Sequence, residues 1–293
     1  EALQLLAAPN CPSGKMDVIL MPDQMMLQIH ESIGHPLELD RILGDERNFA
    51  GTSFVTLDMF GKYQYGSPLL NVTFDPNRTE QFASYAFDDG APAEKQFIIE
   101  SGLLKRPLGG AISQARADIE GVANSRACSW NRPPIDRMAN LNIEAGDTSL
   151  DAMIAGIDDG VMMKTNVSWS IDDSRNKFQF GCEYGQEIKN GKLGSVLKNP
   201  NYRGISATFW RLFASATPPL LVSFRVLMSS VAKLNFLNTK STRTQTKCKI
   251  ISTISPTSYP LLPTRARSHF VGWQPKHLTS FASTKTPCAK PVP

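Results

Sequence analysis

Acidic residues are what the last quarter of this sequence lacks. From Thr217 to Pro293 there is no aspartate or glutamate, against 11 lysines and arginines and a single glycine, Gly272. The first 216 residues therefore hold 20 basic and 27 acidic residues, so the net charge of +4 joins an acidic body to a basic, Ser/Thr/Pro-rich tail. Arg265, Arg267, Phe270, Trp273 and Lys276 offer phosphate contacts and stacking rings, but the charges are dispersed and no nucleic-acid motif surrounds them. Residues 213–293 are read as a disordered or out-of-frame tail, and no nucleic-acid partner is expected.

Long apolar runs are missing too. Nothing approaches the ~20 residues that a bilayer span needs, and the opening residues do not read as a secretory signal. No membrane association is expected, and the expected location is cytoplasmic. Cysteines are few, odd in number and scattered, at 11, 128, 182, 248 and 288, which fits a reduced compartment better than a disulfide framework. The glycosylation-like triplets at Asn71, Asn77 and Asn166 are then chance matches. The first residue is Glu1 rather than Met, so the chain is expected to be a fragment, with residues 1–15 the remnant of a preceding region.

What the sequence does hold is one stretch where helical spacing and ligand chemistry coincide. Met26, Ile29 and Ile33 recur at i, i+3 and i+7, so one face of a helix is expected to be buried, with Asp23 capping its first turn. The same helix carries His30, Glu31 and His35. Imidazoles suit a borderline cation such as zinc, and a carboxylate beside the first histidine can take a proton from the attacking water, as in H-E-x-x-H. Here the spacing is H-E-x-x-x-H. Residues five apart diverge by about 140° around a regular helix, too far to share one ion. A π-bulge absorbs one residue and restores the alignment. Gly34 lowers the cost of that distortion, and Pro36 lacks the N–H for the usual i−4 bond. A broken or bulged helix is predicted between Glu31 and Leu37.

The rest reads as alternating strands with a few helices. Strands are expected at Met16–Leu20, Asn71–Phe74 and Phe82–Phe87, and a strand with a loop at Val55–Tyr65. Ser101-Gly102 and Asn190-Gly191 mark two hairpin turns, and 166–171 is expected to pair with 177–182 around residues 172–176. The motif helix is expected to continue over 41–46, and a short helix is expected over 112–120. A better-marked one starts at Thr148-Ser-Leu-Asp151, buries Leu150, Met153, Ile154 and Ile157, and stops at Gly160. Arg126–Asn140 is twice-proline and irregular, either a surface loop or a site wall. The sum is an α+β fold, mostly antiparallel sheet with a few packed helices and the metal motif on a distorted helix. An exposed sheet edge near that helix would suit an extended peptide as an added strand.

The run His-Glu-Ser-Ile-Gly-His-Pro-Leu-Glu-Leu-Asp from His30 to Asp40 resembles the metal-binding segment of the TldD/PmbA metallopeptidases, whose pattern is H-E-x-x-G-H-x-L-E-x-D. Gly51-Thr52-Ser53, Ile99 to Leu104, Pro134 to Asn140, Phe178 to Tyr184 and Asn199 to Arg211 support the likeness, which covers residues 16–212. The resemblance implies a cytosolic zinc-dependent peptidase acting on small or unfolded peptides, as a homodimer or paired with a related subunit. His30 and His35 would be zinc ligands and Glu31 the general base. Arg137 and Tyr202 lie in matched polar segments and are expected to anchor structure rather than act on substrate. Members of the family complete the site with a cysteine from a later Gly- and Cys-containing segment, which here is replaced by the acid-free tail. Cys248 and Cys182 are the candidates for that ligand. With only two protein ligands the chain is expected to hold zinc weakly and to be inactive, so the alternative is a non-catalytic peptide- or subunit-binding fragment.

Overall fold

The computed structural model describes residues 1–78, 84–217 and 221–228. The described residues lie in one unit, Glu1–Phe236, and a second unit, Leu237–Pro293, lies outside them. Seven helices are described among them: α1 (Ala2–Ala7), α2 (Pro22–Ile29), α3 (Leu39–Leu43), α4 (Arg47–Ala50), α5 (Ala111–Ala117), α6 (Leu150–Ala155) and α7 (Ser206–Phe209). The strands, in chain order, begin with β1 (Gly14–Leu20), β2 (Val72–Phe74), β3 (Phe87–Asp88), β4 (Ala91–Pro92), β5 (Gln96–Glu100), β6 (Leu103–Leu104), β7 (Ser125–Arg126), β8 (Ile135–Asp136) and β9 (Leu141–Ile143). They continue with β10 (Asp159–Ile171), β11 (Lys177–Lys189), β12 (Lys192–Lys198), β13 (Asn201–Ile205), β14 (Phe213–Thr217) and β15 (Leu221–Met228).

Period-two patterning explains the main sheet. Phe178, Phe180, Cys182 and Tyr184 alternate along β11 and all are buried, so one face of that strand covers the core. The sheet runs β1-β10-β11-β13-β15-β14, with β12 also on β11, and β15 pairs with β1 as well as β13. Its pairings are antiparallel except for β1 with β10. A second sheet, β6-β5-β2-β9, is antiparallel throughout. This is the α+β class expected from the sequence.

The two hairpins fall where the turn residues predicted them. Ser101 and Asn190 both take left-handed φ and each is followed by a glycine with positive φ. Elsewhere the structure corrects the sequence reading. The helix predicted to stop at Gly160 ends at Ala155, capped at its start by Ser149, and Gly160 lies inside β10. A side chain at Gly160 would sit 2.6 Å from the carbonyl oxygen of Asp17, so the glycine serves close strand packing rather than helix termination. Val55–Tyr65 forms turns and a 3₁₀ segment, with no strand. Of the strand expected at Phe82–Phe87, residues 82 and 83 lie outside the described residues and only Phe87 joins a strand. Phe213–Thr217 and Leu221–Met228, within the expected tail, form β14 and β15. Leu-Val-Ser-Phe-Arg-Val-Leu-Met is rich in strand formers whatever its charge. The rest of that tail lies outside the described residues.

An aromatic layer seats the motif helix on this sheet. Phe178 lies 5.2 Å from Phe180 and 5.1 Å from Phe209 by ring centroid, and Phe209 lies 5.3 Å from Trp210. Against this layer α2 presents Gln24 and Gln28, both fully buried. Gln24 Nε2 donates to the Tyr202 hydroxyl at 2.9 Å, and that hydroxyl donates to Gln28 Oε1 at 2.9 Å. Gln28 Nε2 and Trp210 Nε1 both donate to Ser32 Oγ, at 2.7 and 3.0 Å. Residues 24, 28 and 32 thus form a polar stripe at i, i+4 and i+8 that fixes the helix in rotation and in height. Replacing Tyr202 with Phe strands two buried amides, so urea unfolding should show a loss of about 1–3 kcal/mol; a variant as stable as the parent would contradict this anchoring.

Candidate metal centre

Pro22 opens α2, and Asp23 lies inside its first turn instead of capping it; Met21 is the N-cap. Asp23 instead accepts the Thr165 N–H at 2.8 Å, tying α2 to β10. The apolar stripe also differs from expectation: Ile29 and Ile33 are buried, but Met26 is exposed and Met25 takes the inward position. The change of phase follows from what comes next.

From His30 to Gly34 the helix widens into a π-turn, and His35–Leu37 then tightens to 3₁₀. The His35 N–H donates to the His30 carbonyl, the i−5 bond of a π-turn. That bond stacks residue 35 over residue 30, as the H-E-x-x-x-H spacing would require for a shared ion. Two neighbours make room for it. A side chain at Gly34 would meet Met138 Sδ at 2.3 Å, so glycine lets the thioether of Met138 pack directly on the turn. Pro36 has no N–H for the Ser32 carbonyl, and the Tyr65 hydroxyl donates to that carbonyl instead. Glu38 then adopts extended backbone and α3 begins.

The result brings the three motif residues together. The imidazoles of His30 and His35 lie 4.5 Å apart by centroid, at 86° to each other. Donor atoms of His30, Glu31 and His35 all fall within 4.8 Å of one another, the one such cluster among the described residues. His30 is exposed, His35 half-buried and Glu31 buried. Local desolvation, followed by the neighbouring His35, lowers the pKa of His30 against the opposing pull of Glu31 and Glu38.

Glu38, Arg41 and Arg175, given no role by the sequence reading, support these three. Glu38 Oε2 meets His35 Nδ1 at 3.0 Å; with the proton on that nitrogen, Nε2 keeps its lone pair for a cation. Arg41, buried, donates Nε and Nη2 to the same Glu38 oxygen at 3.1 and 3.0 Å and pairs with Glu46 at 2.9 Å. Burial raises the Glu38 pKa, but His35, Arg41 and Arg137 outweigh it and the net shift is downward. Glu31 Oε2 accepts from Arg175 Nη1 at 2.8 Å. A pair of imidazoles with an adjacent carboxylate, one imidazole held by a second carboxylate, fits zinc's preference for nitrogen and oxygen donors.

Arg137 lies 3.5 Å from Glu38 Oε1, and Tyr202 is the buried bridge between Gln24 and Gln28. Cys182 does not join the cluster: it is buried on β11, and desolvation pushes its thiol pKa well up. Cys248 lies outside the described residues.

Comparison with known proteins gives a consistent picture. The family model described as the PmbA/TldA metallopeptidase C-terminal domain matches residues 13–216. A metalloprotease of Methanocaldococcus jannaschii is 35% identical over 205 residues, 70% of this chain and 44% of that protein. A Saccharolobus solfataricus protein named as a zinc metalloprotease TldD homolog is 26% identical over 194 residues, covering 66% of this chain and 41% of its own length. Among solved structures, TldE of Thermococcus kodakarensis superposes with a TM-score of 0.65 at 15% identity, over 78% of this chain and 53% of that one, a likeness of fold. The chain thus spans less than half the length of these two curated relatives.

One consequence of the site's packing is testable without any metal. Asp40, at the end of the motif, and Asp136 exchange backbone bonds: Asp40 N–H to Asp136 Oδ2 at 2.8 Å, and Asp136 N–H to Asp40 Oδ2 at 3.1 Å. Asp40 Oδ1 is buried without a hydrogen-bond partner. Burial first, then Asp136 and Glu46, push the Asp40 pKa up to about 7, and burial raises Asp136 as well. Asp40 and Asp136 therefore bind more protons in the folded chain than in the unfolded one between about pH 4 and 7. The stabilisation is fully present below the unfolded value and is lost as pH rises through about 7. The Asp40 contribution to the unfolding free energy should fall by on the order of 2–4 kcal/mol between pH 5 and pH 8, read as the difference in slope between the parent and Asp40→Asn; an unchanged slope in the variant would refute the assignment.

Proposed function

The chain belongs to the TldD/PmbA metallopeptidase family, and from that premise we propose that His30 and His35 hold zinc and that Glu31 is the base of a peptide hydrolysis. The observation that carries the reading is the π-turn, which brings two histidines five residues apart into one donor cluster with Glu31. When bound, zinc supplies a Lewis acid that acidifies water and polarises the scissile carbonyl. The chain's own residues do the rest. Glu38 fixes the ring of His35, Arg41 fixes Glu38, and Glu31 takes the proton from the attacking water and passes it to the leaving amine.

The substrate we propose is a small or unfolded peptide. Among the described residues, the outer edge of β10 from Asn166 to Ile171 has no strand partner, since β1 pairs only with Gly160–Met163. That edge runs into the 172–176 turn, whose Arg175 touches Glu31. An extended peptide added there would lead its backbone towards the donor cluster. Among the described residues no third histidine, cysteine or acid joins the His30–Glu31–His35 cluster; Cys248, outside them, is the candidate for a third protein ligand. A chain that does not supply it would bind peptides without cutting them. Pairing with a second copy or a related subunit is part of the same proposal, and Leu3, Phe49 and Trp130, all more than 80% exposed, offer apolar surface for it.

Metal analysis and peptide cleavage test the assignment. The purified chain should hold about one zinc, lost when His30 and His35 are both replaced by Ala. Glu31→Gln should keep the zinc and reduce cleavage of an unstructured peptide at least about a hundredfold. Zinc retained by the double variant would remove the ligand assignment, and cleavage surviving Glu31→Gln would remove the base.

A further inference from the structure

Arg175 occupies a backbone conformation that few residues adopt, and the turn around it is built to keep it there. Its φ is +62°. Its N–H donates to the Asp172 carbonyl at 3.0 Å, while Asp172 Oδ1 accepts the N–H groups of Asn176 and Lys177 at 2.7 and 3.0 Å. Ser206 Oγ donates to the Arg175 carbonyl at 3.0 Å. From the other side, Thr52 N–H donates to Asp173 O at 2.7 Å and Phe54 N–H to Ser174 O at 2.8 Å. Gly51 makes that approach possible: its φ is +81°, and a Cβ there would lie 2.4 Å from Asp173 O.

The guanidinium held by this turn has two acceptors. Nη1 donates to Glu31 Oε2 at 2.8 Å and Nη2 to the Ala50 carbonyl at 3.0 Å. The same Ala50 carbonyl accepts from Arg41 Nη1, and Arg41 holds Glu38, the partner of His35. One backbone oxygen thus joins the support of the proposed base to the support of a proposed ligand. A local strain maintained by this many bonds, at the edge of a donor cluster, is spent on placing one side chain.

We propose that Arg175 is a positioning residue that keeps Glu31 a base and prevents it from becoming a zinc ligand. The inference rests on the reading of His30 and His35 as zinc ligands. Zinc takes four ligands, and a carboxylate within 4.8 Å of two imidazoles would close on it unless held elsewhere. Arg175 engages Oε2, which leaves the other oxygen to receive a proton, and its positive charge opposes the cation. The arrangement lowers metal affinity and in return preserves a free base. A merely structural role makes the opposite prediction, since loosening the site would weaken zinc.

The test is a zinc competition titration of the full 293-residue chain, with Co²⁺ absorption spectra to report coordination. Arg175→Asn suits the left-handed backbone and removes the guanidinium. Its zinc affinity should rise at least about tenfold, with a changed Co²⁺ spectrum, and adding Glu31→Gln should return the affinity to the parent level. Arg175→Lys keeps the charge without the fork and should fall between the two, which preserves the test if the Asn variant fails to fold. Unchanged or weaker zinc binding in a folded variant overturns the role of Arg175 alone. A parent chain that binds no zinc overturns the ligand assignment, and this proposal falls with it.

Discussion

The hydrogen bond from the His35 amide to the His30 carbonyl is the constraint on which the rest of this structure depends. In an unbroken α-helix the residues joined by it would face well apart around the axis; in the π-turn they share a face. A π-turn is a costly local state, and here its surroundings determine it more than once. Proline removes a competing donor, Tyr65 takes the carbonyl thereby freed, and glycine admits Met138 against the turn. Below it, the Gln24–Gln28–Ser32 stripe locks the preceding turns to Tyr202 and Trp210. The sheet and its aromatic layer therefore act as a seat for one distorted helix.

Above the turn the organisation is electrostatic. Two carboxylates, Glu31 and Glu38, are each held by a buried or half-buried arginine, and both arginines meet at the Ala50 carbonyl. Charged groups at low exposure are tolerated only when paired and hydrogen-bonded, so this network orients its members as well as neutralising them. Arg175 comes from the tip of a hairpin distant in sequence, whereas Arg41 lies on α3, which begins inside the motif segment.

How much of this the sequence disclosed can be argued residue by residue. The distortion was legible because ligand spacing, Gly34 and Pro36 all demanded it, and the hairpins were legible because Ser101-Gly102 and Asn190-Gly191 carry specific turn chemistry. The phase of α2 was not, since the π-turn itself shifts it and leaves Met26 outside. Gly160 was misread as a helix stop because a glycine that ends a helix and one that admits a neighbouring strand look the same in one dimension. The supports of the site were hidden for a related reason: Arg175 lies 144 residues from Glu31, and no local pattern records that contact. The family resemblance supplied the ligand assignment, and the geometry supplied what surrounds it.

The central claim is that two imidazoles from a five-residue spacing share one cation. X-ray absorption at the zinc edge of the loaded chain tests it most directly. The account predicts a first shell with nitrogen at about 2.0–2.1 Å and the outer-shell scattering of two imidazole rings. A first shell without imidazole scattering, or with that of a single ring, would contradict it.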